Sequence, residues 1–200
     1  MRRRYLRATL AIGLPVLPGV AQAHLVTSGL GPFYDGALHL LLSPASLLGL
    51  LVMALLAGLR GRRAARLTVI MLPLSWLCAG LMGMQLSLTL DLAWAGIVSF
   101  MLLGALVAAD VRLPPPIIAA LAGFYGALQG LSDGSTLVAL GAGISSLLGI
   151  VLTVLLLALL TSAAVAPLQA FWARVAVRVV GSWVVAVGML MLGWMVQGVA

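Results

Sequence analysis

Two of the few ionisable side chains in this sequence, Asp35 and His39, are four residues apart. On a helix, residues at i and i+4 lie one above the other on the same face. A carboxylate and an imidazole at this spacing can share a divalent cation, and this ligand pair suits first-row metals such as nickel, cobalt or zinc. Alternatively, Asp35 caps a helix by accepting backbone N–H bonds while His39 packs internally. The spacing alone leaves both interpretations open.

A second polar stripe has the same four-residue step. Tyr125, Gln129 and Asp133 recur at this interval, so they line one side of a helix. Such a stripe is either the wall of a water-lined passage or a seam of interhelical hydrogen bonds. We predict that Gln129 and Asp133 are metal contacts further inward than a capture site formed by Asp35 and His39.

The elements that must position these residues are membrane helices. Hydrophobic residues make up 64% of the chain and charged residues 8%, with a mean hydropathy of +1.24, whereas about a quarter of the residues in soluble domains are charged. Backbone amides in lipid must bond within their own segment, and long apolar runs without alternation select helices. The predicted fold class is all-α, a polytopic membrane helix bundle. An ionisable residue within such a bundle marks a pathway or a partner by default.

The N-terminal 23 residues are typical of a cleaved signal peptide. Four arginines in the first seven residues precede an apolar stretch, which ends in the small-x-small sequence Ala21-Gln22-Ala23. Cleavage there would make His24 the first residue, and its α-amine and imidazole can together chelate a transition metal ion. The alternative is an uncleaved anchor helix. Residues 24–200 are then predicted to form a single transmembrane helical domain.

Six apolar runs follow the signal and predict about six spans. The fourth run is short for a hydrocarbon core of about 30 Å, so we expect it to be broken or shortened. Small residues such as Gly126 and Gly130 should let neighbouring helices approach closely, and Cys78, inside the second run, is expected to pack in the core. The runs are residues 36–59, 67–84, 92–109, 117–131, 136–160 and 179–196.

Arginine placement predicts the topology. The strongest charge run of the mature chain, residues 60–66, lies in a short loop, and arginine-rich short loops stay cytoplasmic. The net charge of +7 is therefore a topological signal, and no nucleic-acid partner is expected. We predict a multi-pass protein of the bacterial inner (plasma) membrane with its mature N-terminus in the periplasm. Threading puts Arg112, Arg174 and Arg178 on the cytoplasmic side and Asp35, Asp91 and Asp133 on the periplasmic side.

The beginning of the predicted mature chain resembles a known family. Residues 24–36, HLVTSGLGPFYDG, followed by His39 and Ser43-Pro44, resemble a divergent branch of the HupE/UreJ membrane proteins. The resemblance implies a cleaved signal, about six helices, and nickel or cobalt uptake in support of hydrogenase or urease maturation. It carries Asp35 and His39 over as metal ligands and adds His24 because of the cleavage site.

Two positions depart from the pattern of the better-studied family members. Those members have an adjacent Asp-His pair in the first helix, whereas three residues separate Asp35 from His39 here. A later helix of those members carries a histidine in a Phe-x-His-Gly pattern, and the corresponding Phe124-Tyr125-Gly126 has tyrosine instead. These differences bear on which metal ion is bound.

The leading functional hypothesis is a permease or channel for a divalent transition metal ion, nickel first and cobalt second, captured at the periplasmic face. The alternative is a non-transporting accessory protein that binds metal for metalloenzyme maturation. No nucleotide-binding motif is present. We expect neither an enzyme nor a resident cofactor, although Ser43 and His39 at i, i+4 leave an intramembrane hydrolase as a minor alternative. Expected partners are the lipid bilayer, the metal ion, maturation proteins and a homo-oligomer. The predicted metal contacts are His24, Asp35, His39, Gln129 and Asp133.

Overall fold

The computed structural model describes residues 28–86, 92–168 and 171–198. In these ranges it is all-α, with seven helices and no strand, which confirms the predicted fold class. The predicted signal peptide, His24 and Asp91 lie outside the described residues. The helices are α1 (Pro32–Leu42), α2 (Pro44–Leu59), α3 (Arg62–Leu86), α4 (Ala93–Ala108), α5 (Pro115–Ala139), α6 (Ile144–Val165) and α7 (Phe171–Val196).

The first predicted span is two helices rather than one. Helices α1 and α2 meet at a bend of 78°. Pro44 has no N–H to continue the α1 ladder, and a proline disfavours helical geometry at the preceding residue. Ser43 is accordingly extended, with φ −96° and ψ 90°. Its hydroxyl donates a hydrogen bond to the backbone carbonyl of His39 at 2.7 Å.

The expectation of a short or broken fourth span is wrong. Helix α5 is continuous over 25 residues and extends eight residues past the predicted end at Leu131. The sequence prediction failed because polar residues near the end of α5 lower its hydropathy. Ser135 and Thr136 nevertheless donate their hydroxyls to carbonyls four residues earlier, at 3.0 and 2.9 Å, so these groups are satisfied within the helix. The next helix therefore begins at Ile144 instead of Thr136.

Three helices are long and apolar enough to cross a membrane by length and composition, namely α3, α6 and α7. A fourth span is added if α1 and α2 form one bent span. Helix α4 is apolar but has 16 residues, which gives it a length of about 24 Å at 1.5 Å per residue. Six spans remain a prediction.

The surface of the bundle is apolar and part of its interior is polar. Large side chains on the outside include Phe124, 61% exposed, and Trp183, 69% exposed. In contrast, Asp133, Ser146 and Ser162 are buried. Membrane proteins have this arrangement because lipid solvates apolar side chains, while polar groups face the bundle interior. The protein is therefore a helical membrane protein.

Helices α3 and α5 pack closely against each other through glycines. Gly126, Gly130 and Gly134 follow one another at four-residue steps on α5, so they share one face. A Cβ atom on any of them would lie closer than 3.0 Å to atoms of α3, including the carbonyl oxygens of Trp76 and Gly80. The close approach predicted for Gly126 and Gly130 is confirmed.

The expectation that Cys78 packs in the core is wrong, because its side chain is exposed. Trp76, two residues earlier on the same helix, is fully buried. Two residues correspond to about 200° around a helix of 3.6 residues per turn, so the two side chains point to opposite sides. The apolar run identified the helix but not which of its sides faces the bundle.

Arginines from separate parts of the chain gather at one end of the bundle. Asp110, just past the end of α4, has a left-handed backbone with φ 51°. Its carboxylate forms ion pairs with Arg60 and with Arg174, the latter at 2.9 Å. Arg178 donates its Nε–H to the carbonyl of Ala108 at 2.9 Å. Three arginines that the arginine rule assigns to one side of the membrane, Arg60, Arg174 and Arg178, thus lie together.

The two arginines control the charge of Asp110. Partial burial acts to raise the pKa of this carboxyl, but the hydrogen bonds and positive charges of Arg60 and Arg174 outweigh that effect and hold the pKa below its ordinary value of 3.8. Because the pKa is lowered in the folded state, the ion pairs stabilise the fold above about pH 4, and the stabilisation is lost as the pH falls through the folded-state pKa.

We expect Asp110→Asn to lower the melting temperature of the detergent-solubilised protein by about 2–4 °C at low salt. The difference from wild type should shrink at 1 M salt, because salt screens ion pairs. Arg112→Gln is the matched control, since Arg112 is exposed and has no ion pair within the described part of the chain. Equal melting temperatures for wild type and Asp110→Asn at low salt would contradict a stabilising role.

Candidate functional site

Side chains from three helices meet at a buried carboxylate in the bundle. Asp133 of α5 is 7% exposed, and its Oδ2 accepts a hydrogen bond from Nε1 of Trp76 on α3 at 3.0 Å. Its other oxygen, Oδ1, is 4.0 Å from Nε2 of His39 on α1. We refer to these two residues as the His39/Asp133 pair. Trp76 holds one carboxylate oxygen and leaves the other directed toward the imidazole.

Glycines on α1 and on α6 fix the position of α1 against α6. A Cβ on Gly36 would lie closer than 3.0 Å to the carbonyl of Ser146 on α6, and a Cβ on Gly149 would do the same with the carbonyl of Phe33. Gly36 is three residues before His39, so it lies on the same side of α1. Close packing of α1 on α6 therefore helps to hold the imidazole near Asp133.

The polar stripe of α5 continues from Asp133 along the helix toward α2. Gln129 donates its Nε2–H to the hydroxyl of Ser46 at 2.9 Å, and the hydroxyl of Tyr125 donates to the carbonyl of Ser46 at 3.3 Å. A cavity of about 200 Å³ borders these groups, and Gly96 of α4 also lines it. The stripe is thus an interhelical hydrogen-bond seam along the wall of a small cavity.

Asp35 and His39 lie on the same helix but have different partners. Oδ1 of Asp35 accepts hydrogen bonds from the backbone N–H and the hydroxyl of Ser28, both at 2.6 Å. Within the described residues, the carboxylate within 4.0 Å of the His39 imidazole is that of Asp133 and not that of Asp35. Asp35 therefore ties the segment before α1 to the helix, while His39 faces the buried carboxylate.

A comparison of the whole sequence with known protein families gives one match. The model of the HupE / UreJ protein family matches residues 12–191, which is most of the chain. The chain belongs to the HupE/UreJ family. A search of the curated proteins and one of the solved structures found no match. Family membership confirms the resemblance read from residues 24–36.

Few metal-ligating side chains converge in the described part of this HupE/UreJ protein. Residues 28–86, 92–168 and 171–198 contain no group of three or more His, Cys, Asp or Glu side chains that could hold a metal ion. His39 and Asp133 supply one nitrogen and one oxygen. Gln129 lies four residues from Asp133 on the same helix face, where its amide is held by Ser46. Further ligands for an ion would be water, backbone carbonyls or the predicted ligand His24.

Sequence reasoning missed two residues of this HupE/UreJ site, Trp76 and Ser46. A tryptophan in the middle of an apolar run is a usable signal, because a buried indole N–H normally finds a hydrogen-bond acceptor. Ser46 follows Pro44 by two residues, and the proline marks a helix start where polar residues collect. Neither signal identifies the partner, since Asp133 is 57 residues from Trp76 and Gln129 is 83 residues from Ser46.

Proposed function

We propose that this protein is a membrane permease for a divalent transition metal ion, nickel or cobalt, captured at the periplasmic face. The observation that carries the proposal is the His39/Asp133 pair, a buried carboxylate facing an imidazole inside a membrane bundle. Ionisable groups at such depth are costly and mark ion pathways by default. Membership of the HupE/UreJ family supports the same conclusion.

The separation within the pair suits one ion bound between the two residues. Bonds from first-row metals to imidazole nitrogen and carboxylate oxygen are about 2.0–2.2 Å long, so the two bonds together span about 4 Å. His39 Nε2 and Asp133 Oδ1 are 4.0 Å apart. One ion could therefore bind between the two residues with one bond to each.

A route for the ion follows from the polar groups on either side of the pair. Asp35 ties Ser28 to α1, and we propose that Asp35 and His24 form the outer capture site. Gln129 and Ser46 lie beyond the pair at the small cavity. The gathered arginines are assigned to the cytoplasmic end by the arginine rule. A gradient or a separate partner drives transport, and maturation proteins for metalloenzymes receive the ion.

A second candidate is a non-transporting accessory protein that binds metal within the membrane. It is favoured by the small number of ligands, because only two ionisable side chains converge at the pair in the described part of the chain. It is also favoured by the hydrogen bond from Trp76, which occupies one oxygen of Asp133.

Metal flux and metal binding, measured on the same purified protein, separate the two candidates. Sealed vesicles containing the protein and an internal metal-sensitive dye should admit nickel or cobalt faster than protein-free vesicles do. Zinc and copper serve as comparison ions. Stoichiometric binding without flux would support the accessory role, and neither binding nor flux at micromolar metal would contradict both candidates.

We expect Asp35→Ala to slow metal entry severalfold, mainly at low metal concentration, because Asp35 organises the outer segment while the inner pair stays intact. Ser28→Ala is the matched control, since it removes the hydroxyl bond and leaves the backbone N–H bond to Asp35. Its effect should be smaller. Wild-type rates for Asp35→Ala at all concentrations would exclude Asp35 from the capture site.

A further inference from the structure

A groove lies away from the His39/Asp133 pair, at the arginine end of the bundle. It encloses about 510 Å³ between the beginning of α3 and the end of α6. The residues that α3 contributes are spaced three or four positions apart or are neighbours, so they form one helix face. They are Arg62, Ala65, Arg66, Val69 and Ile70.

The opposite side of the groove, which we call its floor, is apolar and recessed. Helix α6 contributes Leu159, Ser162 and Ala163, and Ala166 closes the end of the groove. Ala163 has a single methyl group, which leaves the surface of α6 recessed at this point. The hydroxyl of Ser162 is turned back to the carbonyl of Ala158 at 2.6 Å, so it offers no free polar group to the groove. The floor therefore suits a hydrocarbon chain.

The mouth of the groove is positively charged. Arg62 and Arg66 are both exposed and lie one turn apart on α3. Asp110 is the acidic residue at this end in the described part of the chain, and its two oxygens are taken by Arg60 and Arg174. Arg62 and Arg66 consequently have no acidic partner among the described residues, and two guanidinium groups are available to an external anion.

We propose that this groove binds an anionic phospholipid, with its phosphate between Arg62 and Arg66 and one acyl chain along the apolar floor. Guanidinium groups bind phosphate through paired N–H donors, and basic pockets between membrane helices bind anionic lipid headgroups. Both arginines lie at the beginning of α3, and the end of a membrane helix is where a lipid headgroup would be within reach. A free phosphate would satisfy the arginines but leave the apolar floor unfilled.

The test compares lipids that differ only in headgroup charge. The full chain, purified in detergent, is titrated with phosphatidylglycerol and with phosphatidylcholine of identical acyl chains, and bound lipid is counted by native mass spectrometry. Arg62→Gln/Arg66→Gln removes the proposed phosphate contacts. Arg63→Gln is the matched control, because Arg63 is exposed on the same turn of α3 but does not line the groove.

We expect wild type to bind phosphatidylglycerol in preference to phosphatidylcholine, and Arg62→Gln/Arg66→Gln to weaken that binding roughly tenfold or more. Ala163→Phe, which fills the floor without changing any charge, should weaken it as well. Arg63→Gln should bind like wild type. The proposal is overturned by equal affinity for the two lipids, by an equal loss in Arg63→Gln, or by inorganic phosphate displacing the lipid at similar concentration. Native mass spectra that show wild type associating with a second copy through the groove in the absence of lipid would also overturn the proposal.

Discussion

Asp133→Asn is expected to weaken nickel binding by at least about 100-fold, because changes to groups that only support a metal ligand already cost 10–100-fold. Asparagine keeps the size of the side chain and still offers an oxygen to the indole of Trp76, so the packing is retained. The negative charge facing His39 is lost. Calorimetric titration of the purified protein with nickel measures the effect on affinity, and vesicle uptake measures the effect on flux.

Two further variants make this test specific to the pair. Asp110→Asn is the same chemical change at the opposite end of the bundle, and it should bind nickel like wild type. His39→Ala should lose binding to a similar extent as Asp133→Asn. The double variant should lose little more, because residues that act as a unit are not additive. Full nickel binding by Asp133→Asn would remove the central residue from the proposed site.

The second large effect is expected on folding. Gly130→Leu should prevent accumulation of a monodisperse protein, or lower its melting temperature drastically. A Cβ at position 130 would lie closer than 3.0 Å to the carbonyl of Trp76 and at 3.0 Å from the N–H of Gly80, so backbone rather than flexible side chains would have to move. Overpacking of side chains alone already costs about 1–3 kcal/mol. Size-exclusion chromatography and thermal unfolding in detergent provide the measurement.

Gly193→Leu is the matched control for this prediction. Gly193 also lies within a membrane helix, α7, but a Cβ there would have nothing within 4 Å. This variant should be as stable as wild type, because the new side chain meets open space on the outside of the bundle. Wild-type stability of Gly130→Leu would show that α3 and α5 are farther apart than described.

The apolar runs were sufficient to predict a helical membrane bundle, since lipid leaves the backbone few alternatives. They were less informative about where each helix ends. The end of α5 was misplaced because the polar residues 132–135 were interpreted as a break between two apolar runs, although the hydroxyls of Ser135 and Thr136 bond back to the helix. The bend at Ser43 depends on the local chemistry of Pro44, which an average over twenty residues does not register.

Single residues of the candidate site were easier to predict than their partners. Asp133 and His39 stood out because charged and ionisable side chains are rare in this chain. That they face each other depends on how α1 and α5 pack, which sequence spacing within one helix cannot give. The same limitation explains Cys78 and Trp76. Both lie in one apolar run, and only the packing of α3 on α5 decides which of them is buried.

The packing of α1 on α6 has a consequence for biogenesis. The contact between Gly36 and Ser146 joins positions about 110 residues apart in the chain, and ribosomes add about 5–20 residues per second. Helix α1 therefore waits roughly 5–20 s after its own synthesis before its packing surface exists. For most of that interval the imidazole of His39 also lacks Asp133, which is synthesised shortly before Ser146. The support of the buried pair is completed only late in translation, so a truncated chain that stops before α6 would contain His39 and Asp133 but lack the helix that holds α1 in place.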